Sequence, residues 1–227
     1  MSKALYSLGG LRFWDESEIE LREMFQSRAV SVVKRSLISL NKAWTITRME
    51  GPCLSPRDQI SASYGDDDLF CTNHTAGGGQ LYLRAETTPS SYAFARKLSA
   101  KLPLCVWQSG KSFRRETNDG ASASKLRFNE FWQLEFQCIY AEDTKADYRA
   151  EVIAALCPEL LRFTGRLPRT VPSDRLPSYS ESTIDIELSL GEGKWREVAS
   201  CSIRNDYLPG TKVCEIAIGL DRVVSLA

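Results

Sequence analysis

Histidine is almost missing from this chain: among 227 residues there is one, His74. A Ser-His-Asp triad or a His-based proton shuttle would rest entirely on that residue, which sits in a Gly-rich loop. Cys71 and His74 make a lone Cys-x-x-His pair. A structural zinc site usually takes four ligands, so no zinc is expected. Net charge is lacking too, since 29 basic residues balance 29 acidic ones. That excludes a global field for polyanions and confines any nucleic-acid contact to a local patch. The seven cysteines are odd in number and their spacings fit no disulfide or zinc framework. No apolar run is long enough to span a bilayer, and the opening "MSKALYSLGGLRFWDESEIE" lacks a secretory apolar stretch. These absences lead us to expect a reduced, soluble, cytoplasmic protein with no membrane partner. No internal repeat, linker or low-complexity segment stands out, so a single domain over 1–227 is the simplest organisation.

What is present reads as a mixture of helices and strands. Asp15 and Glu18 form a capping-box start to a helix over 15–40, with Leu21, Phe25, Ala29, Val33 and Leu37 on one face. "AWTITRMEGPCL" is predicted as a strand ended by Gly51 and Pro52, and "GGGQLYLRAE" as a loop leading into a short strand. In "TPSSYAFARKLSAKL" the pattern predicts a helix capped by Thr88, begun by Pro89, and buried along Phe94, Leu98 and Leu102. "DYRAEVIAALCPELLRF" is a helix with Tyr148, Val152 and Leu156 inward and a bend at Pro158. "GRLPRTVPSDRLPSYS" reads as a Pro-rich loop, followed by the strands "STIDIELSL" and "KWREVASCSI". "KVCEIAIGLDRVVSLA" is a strand running into a final helix. Strands outnumber helices and follow one another without regular crossovers, an α+β pattern with a largely antiparallel sheet.

The chemistry concentrates in "SFRRETNDGASASKLRFNEF", residues 112–131. Two β-rich flanks joined by a polar tip predict an antiparallel hairpin. On strands, Arg114 and Glu116 share a face, Arg115 points away, and Arg127, Asn129 and Phe131 form a second set. Two guanidinium groups, a carboxylate and a ring suit a nucleoside triphosphate. By itself the same pattern is more simply a solvated hairpin face carrying surface ion pairs.

The run "FRRE…LRFNEFWQLEF" resembles motif 2 of the class II aminoacyl-tRNA synthetases, and "GLDR" resembles their motif 3. "LYLRAETTPSSYAFARKL" is similar to the "LRPETAQG" segment of the eukaryotic-type glycyl-tRNA synthetases. "STIDIELSLGEGKWREVASCSIRNDY" resembles that family's "ATYDIE…GWxELEGIxxRxDYDL", and "VCEIAIGLDR" its "VIEPSFGIDR". "TRMEGPCL" lies where motif 1, with its proline, would fall. The matches keep the family's order from about residue 20 to 222. Ala217 stands where the family has serine, and Asn129 where it has a second motif 2 arginine.

The resemblance implies a class II synthetase-like antiparallel β-sheet flanked by helices, working as an aminoacyl-adenylate-forming ligase on ATP, Mg2+ and a small amino acid, glycine favoured. It implies that Arg114 binds the ATP α-phosphate and Glu116 the adenine amino group. Arg127 and Arg222 would hold the γ-phosphate, adenine would lie between Phe131 and Arg222, and Glu197 would help bind magnesium. Glu86, Glu135 and Glu215, with Arg204, would grip the amino acid. The tip 117–125 would meet the acceptor end of tRNA, and motif 1 would build a homodimer. The chain stops a few residues after Arg222, so no anticodon-binding domain is expected. Three functions remain open: aminoacyl transfer to tRNA or a tRNA-like acceptor, transfer to a carrier protein or small amine, and a non-catalytic synthetase paralogue serving as a binding or regulatory subunit.

Overall fold

A computed structural model of the chain describes residues 7–8, 11–61, 63–76, 79–98, 101–116, 121–122, 124–174, 176 and 179–227. The elements are β1 (Ser7–Leu8), β2 (Leu11–Arg12), α1 (Glu16–Leu40), β3 (Thr45–Arg48), β4 (Leu54–Pro56), β5 (Cys71–Ala76) and β6 (Gly79–Leu83). They continue with α2 (Thr88–Leu98), β7 (Leu104–Phe113), β8 (Glu130–Ala141), α3 (Tyr148–Thr164) and β9 (Pro168–Pro172). The last are β10 (Ser180–Gly191), β11 (Lys194–Arg204), β12 (Thr211–Gly219) and α4 (Leu220–Ser225). Seven strands form one sheet in the order β3-β7-β8-β12-β11-β10-β9. Every pairing in it is antiparallel except β3 with β7. The α+β architecture read from the sequence is the one observed.

Side-chain alternation decides what each face of this sheet does. On β8, Leu134, Phe136, Cys138 and Tyr140 point into the apolar core, as do Cys214, Ile216 and Ile218 on β12. Helix α1 covers that face with Phe25, Ala29, Val33 and Leu37, and α3 with Val152, Leu156 and Leu160. Each buried Val, Leu, Ile or Phe among them contributes about 1.5–3 kcal/mol. The intervening residues Gln133, Glu135 and Gln137 on β8, and Glu215 on β12, face the other way and are also buried. Buried polar groups need partners, so this second face has to be a hydrogen-bonded site rather than a core.

Local signals place the helices. Asp15 Oδ1 accepts from the Glu18 amide at 2.9 Å and the Glu18 carboxylate accepts from the Asp15 amide, completing the capping box. Helix α3 starts at the cap Asp147 and ends at Gly165, whose φ of 68° a residue with a Cβ would adopt only under strain. The helix runs through Pro158 without a break, because core contacts on either side outweigh the one lost backbone bond. Two expectations for α2 fail. Its buried face is Tyr92 and Ala95 against Leu104, Val106, Ile139 and Val213, with the expected Phe94 packed partly buried beside them, while Leu98 and Leu102 are exposed. Thr88 lies inside the helix, its hydroxyl turned to the polar face of the sheet rather than to the helix end. The Pro-rich stretch after α3 also contains strand β9, paired to the edge of β10, where Pro168 and Pro172 are tolerated.

Candidate active site

The polar face opens into a cleft of about 760 Å3. At its inner end, β8 and β12 are paired so that Gln137 opposes Glu215 and Glu135 opposes Ala217. The segment before α2 brings in Glu86, the first residue of α2 is Thr88, and all three glutamates are buried. Thr88 Oγ1 lies 2.8 Å from Glu135 Oε1 and 3.0 Å from Glu215 Oε2. Gln137 Nε2 donates to the same two carboxylates at 2.8 and 2.9 Å, and Gln133 Nε2 to Glu135 Oε2 at 2.8 Å. Arg204, 2% exposed, donates to Glu215 and grips Asp206 through Nε and Nη2. Its guanidinium stacks 3.9 Å from the Tyr179 ring.

Three carboxylates around one small space share a cation that is already divided with Asp206. The result is a buried pocket with more carboxyl groups than cations. Burial, the strongest influence, pushes the Glu86 carboxyl up to about 8, opposed by Arg204 and reinforced by Glu215 and Glu135. Burial and the neighbouring Glu215 likewise hold Glu135 above the ordinary carboxylate range, with Gln137 and Thr88 pulling it back. Burial alone would lower Arg204, but Glu215 and Asp206 outweigh it and hold the guanidinium firmly charged. Such a pocket suits a compact cation that supplies several N–H donors, as an α-ammonium does.

The wall of the cleft carries the arginines. Arg114 Nε donates to the Ala85 carbonyl at 3.1 Å, and its guanidinium faces the rings of Tyr64 and Phe131, each at 5.2 Å. Arg127 pairs with Glu116 at 3.4 Å, and the Glu116 amide donates to Asn129 Oδ1. Arg222, in the first turn of α4, is held by the Glu197 carbonyl and carboxylate and by the Leu126 carbonyl. Leu126 itself has φ of 51°, a left-handed conformation that marks the tight return of the hairpin.

All of the sequence-predicted wall residues, Arg114, Glu116, Arg127, Phe131, Glu197 and Arg222, line this one cleft, together with Glu86, Glu135 and Glu215. Arg204 stands just behind it. The hairpin differs in detail from the expectation. Strand β7 ends at Phe113 and β8 begins at Glu130, so Arg114, Glu116, Arg127 and Asn129 lie on the connecting segments, where strand alternation does not govern them. Arg115, expected to point away, also lines the cleft. The ring–guanidinium contact at Phe131 is made by Arg114, while Arg222 rests on Glu197 and Leu126. Of the tip 117–125, residues 117–120 and 123 lie outside the described residues, and so does the side chain of His74.

Sequence reasoning missed Thr88, Gln133 and Gln137. The glutamines had a readable signal: "QLEFQC" alternates polar with apolar side chains, which marks a strand with one polar face. Thr88 had none, because its role depends on the carboxylates of β8 and β12.

Residues 71–221 match the family model described as "tRNA synthetase class II core domain (G, H, P, S and T)". The glycine--tRNA ligase of Geobacillus thermodenitrificans (strain NG80-2) is 33% identical over 143 residues, covering 58% of this chain and 29% of that protein. The glycine--tRNA ligase of Mycoplasmopsis synoviae (strain 53) is 30% identical over 135 residues, again covering 29% of the relative. The chain thus aligns with under a third of the length of these curated relatives. Among solved structures, prolyl-tRNA synthetase from Cryptosporidium parvum, complexed with halofuginone and AMPPNP, superposes with a TM-score of 0.77 at 12% identity. That match covers 97% of this chain and 48% of the other. Cytoplasmic serine-tRNA ligase from Naegleria fowleri, in complex with AMP, gives 0.73 at 17% identity, covering 96% and 56%. Such low identities speak for the fold, while the family model spans well over half of the sequence on its own. The chain belongs to the tRNA synthetase class II core family.

Proposed function

We propose that this chain activates a small α-amino acid with ATP, forming an aminoacyl-adenylate and pyrophosphate, and passes the acyl group to a tRNA acceptor end. The observation that carries the reading is the meeting, in one cleft, of a buried carboxylate pocket with an arginine and aromatic wall. The ammonium of the amino acid would sit among Glu86, Glu135 and Glu215, leaving its carboxylate directed at the wall. Arg114 would take the α-phosphate, Glu116 the adenine amino group, and Phe131 the base. Arg127 and Arg222 would exchange their present partners Glu116 and Glu197 for γ-phosphate oxygens, and Glu197 would then be free to face a magnesium ion carried by the nucleotide.

An oxygen of the amino-acid carboxylate attacks the α-phosphorus, the bond to the bridging oxygen breaks, and its electrons leave with pyrophosphate. No side chain need form a covalent bond or move a proton in that step. Alignment of the reactants and neutralisation of phosphate charge supply the acceleration, which is work for arginines rather than for a histidine. Glycine is the favoured substrate, supported by the curated relatives named above and by a pocket in which three carboxylates, Thr88 and Gln137 occupy the space near the ammonium. Homodimer assembly and a cytoplasmic setting complete the reading.

The test is amino-acid-dependent exchange of labelled pyrophosphate into ATP, with Arg114→Ala expected to lower the exchange rate at least 100-fold. Failure of all twenty amino acids to support exchange would refute the reading. Robust exchange without acid-precipitable label on total tRNA would reassign the acceptor to a carrier protein or small amine.

A further inference from the structure

We infer that Arg12, a residue outside the family-matched segment, is a positioning residue for nucleotide binding that sets the two phosphate-facing arginines from behind. The inference rests on the ATP reading above. Arg12 lies on β2 with its side chain only 1% exposed. Its Nη1 donates to the Asp221 carbonyl at 2.8 Å and to Ser225 Oγ at 3.1 Å, and Nη2 donates to Glu18 Oε1 at 2.9 Å. The same Nη1 is 3.6 Å from the Asp221 carboxylate. The guanidinium plane lies 3.7 Å over Trp14 and 5.9 Å from Phe128.

Two of these contacts adjoin, in sequence, the two phosphate-facing arginines. Asp221 immediately precedes Arg222, and Phe128 immediately follows Arg127. Asp221 is 2% exposed, and its other oxygen accepts from the Trp132 amide on β8 at 2.5 Å. One buried guanidinium thus grips the start of α4, while the carboxylate it neutralises grips β8. Helix α4 has only six residues and few internal hydrogen bonds of its own. Without Arg12, the buried Asp221 carboxylate would lose its nearest cation and keep only the influence of Arg22. The first turn of α4 would have to move to hydrate it, and Arg222 would move with that turn. A lysine could supply the charge but not a planar fork that reaches the carbonyl, the hydroxyl and Glu18 together.

The experiment measures ATP and AMP affinities by titration calorimetry on the full chain, comparing wild type with Arg12→Gln and Arg12→Lys. For Arg12→Gln we expect the ATP Kd to rise at least tenfold and the AMP Kd no more than about threefold, because AMP lacks the phosphates that Arg127 and Arg222 meet. Arg12→Lys should recover part of the ATP preference. An unchanged ratio of ATP to AMP affinity, with only a lower melting temperature, would overturn the inference and leave Arg12 a purely structural anchor. Should Arg12→Gln fail to fold, Ser225→Ala and Arg12→Lys give the same readout with milder loss of contacts. Pyrophosphate exchange run in parallel separates the two claims. Wild type that binds ATP but exchanges with no amino acid overturns the catalytic reading while the affinity ratio still judges Arg12. Wild type that does not bind ATP overturns both.

Discussion

Replacing Glu86 with Gln should make the ligand-free protein more stable at alkaline pH and, on the proposed function, slow amino-acid activation at every pH. A carboxyl standing at about 8 rather than its ordinary 4.5 carries an ionisation cost of roughly 4–5 kcal/mol, and relaxation of the site reduces this to about 3 kcal/mol. The sign follows from proton linkage. The folded-state value lies above the unfolded one, so the native protein holds an extra proton between them. Stability from this group is fully present below about pH 4.5 and is lost as pH rises through about 8. Glutamine keeps the shape and has nothing to ionise. At pH 5 the melting temperatures of wild type and Glu86→Gln should nearly agree. At pH 9 the variant should melt higher by roughly 6–12 °C, at about 2–4 °C per kcal/mol for a chain of this size. Saturating amino acid should narrow that gap by about 1.5–3 kcal/mol, because its ammonium forms an ion pair with Glu86 in the wild type alone. Loss of one charge-assisted hydrogen bond, about 1.5–3 kcal/mol, should raise the amino-acid KM some 10- to 150-fold and leave the ATP KM within about twofold. Equal melting differences at pH 5 and pH 9, or parallel rises in both KM values, would refute the reasoning.

Thr88→Val keeps volume but removes the hydroxyl between Glu135 and Glu215, so the amino-acid KM should rise about tenfold in exchange assays with ATP binding unchanged. An ATP KM that rises equally would show Thr88 to be a general packing residue. Gly110→Ala should lower the unfolding free energy in urea by about 2–3 kcal/mol, because a Cβ there would stand 2.2 Å from Arg84 Nη2. That collision displaces a buried guanidinium from the carbonyls of Lys111, Gly51 and Pro52, and a loss under about 0.5 kcal/mol would mean Arg84 has somewhere else to go.

Much of the molecule follows from short-range rules. The capping pair Asp15 and Glu18, the periodic Phe25, Ala29, Val33 and Leu37, and the face Tyr148, Val152 and Leu156 locate α1 and α3 because those signals act within a few turns of chain. The alternation in β8, β10, β11 and β12 marks them as strands for the same reason. The Pro-rich stretch after α3 misled because an edge position tolerates proline in a strand. Leu98 and Leu102 misled because apolarity says that a side chain can be buried, not that a partner waits for it.

The sequence by itself determined the residue types of the site: arginines, carboxylates in strands, an aromatic ring after a run of small polar residues. It also determined, through the order of its motifs, which family they belong to. Only the tertiary structure decided which of those groups meet. Glu86, Glu135 and Glu215 come from three distant segments, and the register of β8 against β12 brings two of them within reach of one threonine hydroxyl. Arg222 faces the cleft while the aspartate beside it is anchored, from the other end of the chain, by Arg12. Electrostatics in a buried site depends on distance and desolvation, and neither is written along the chain until the strands are paired.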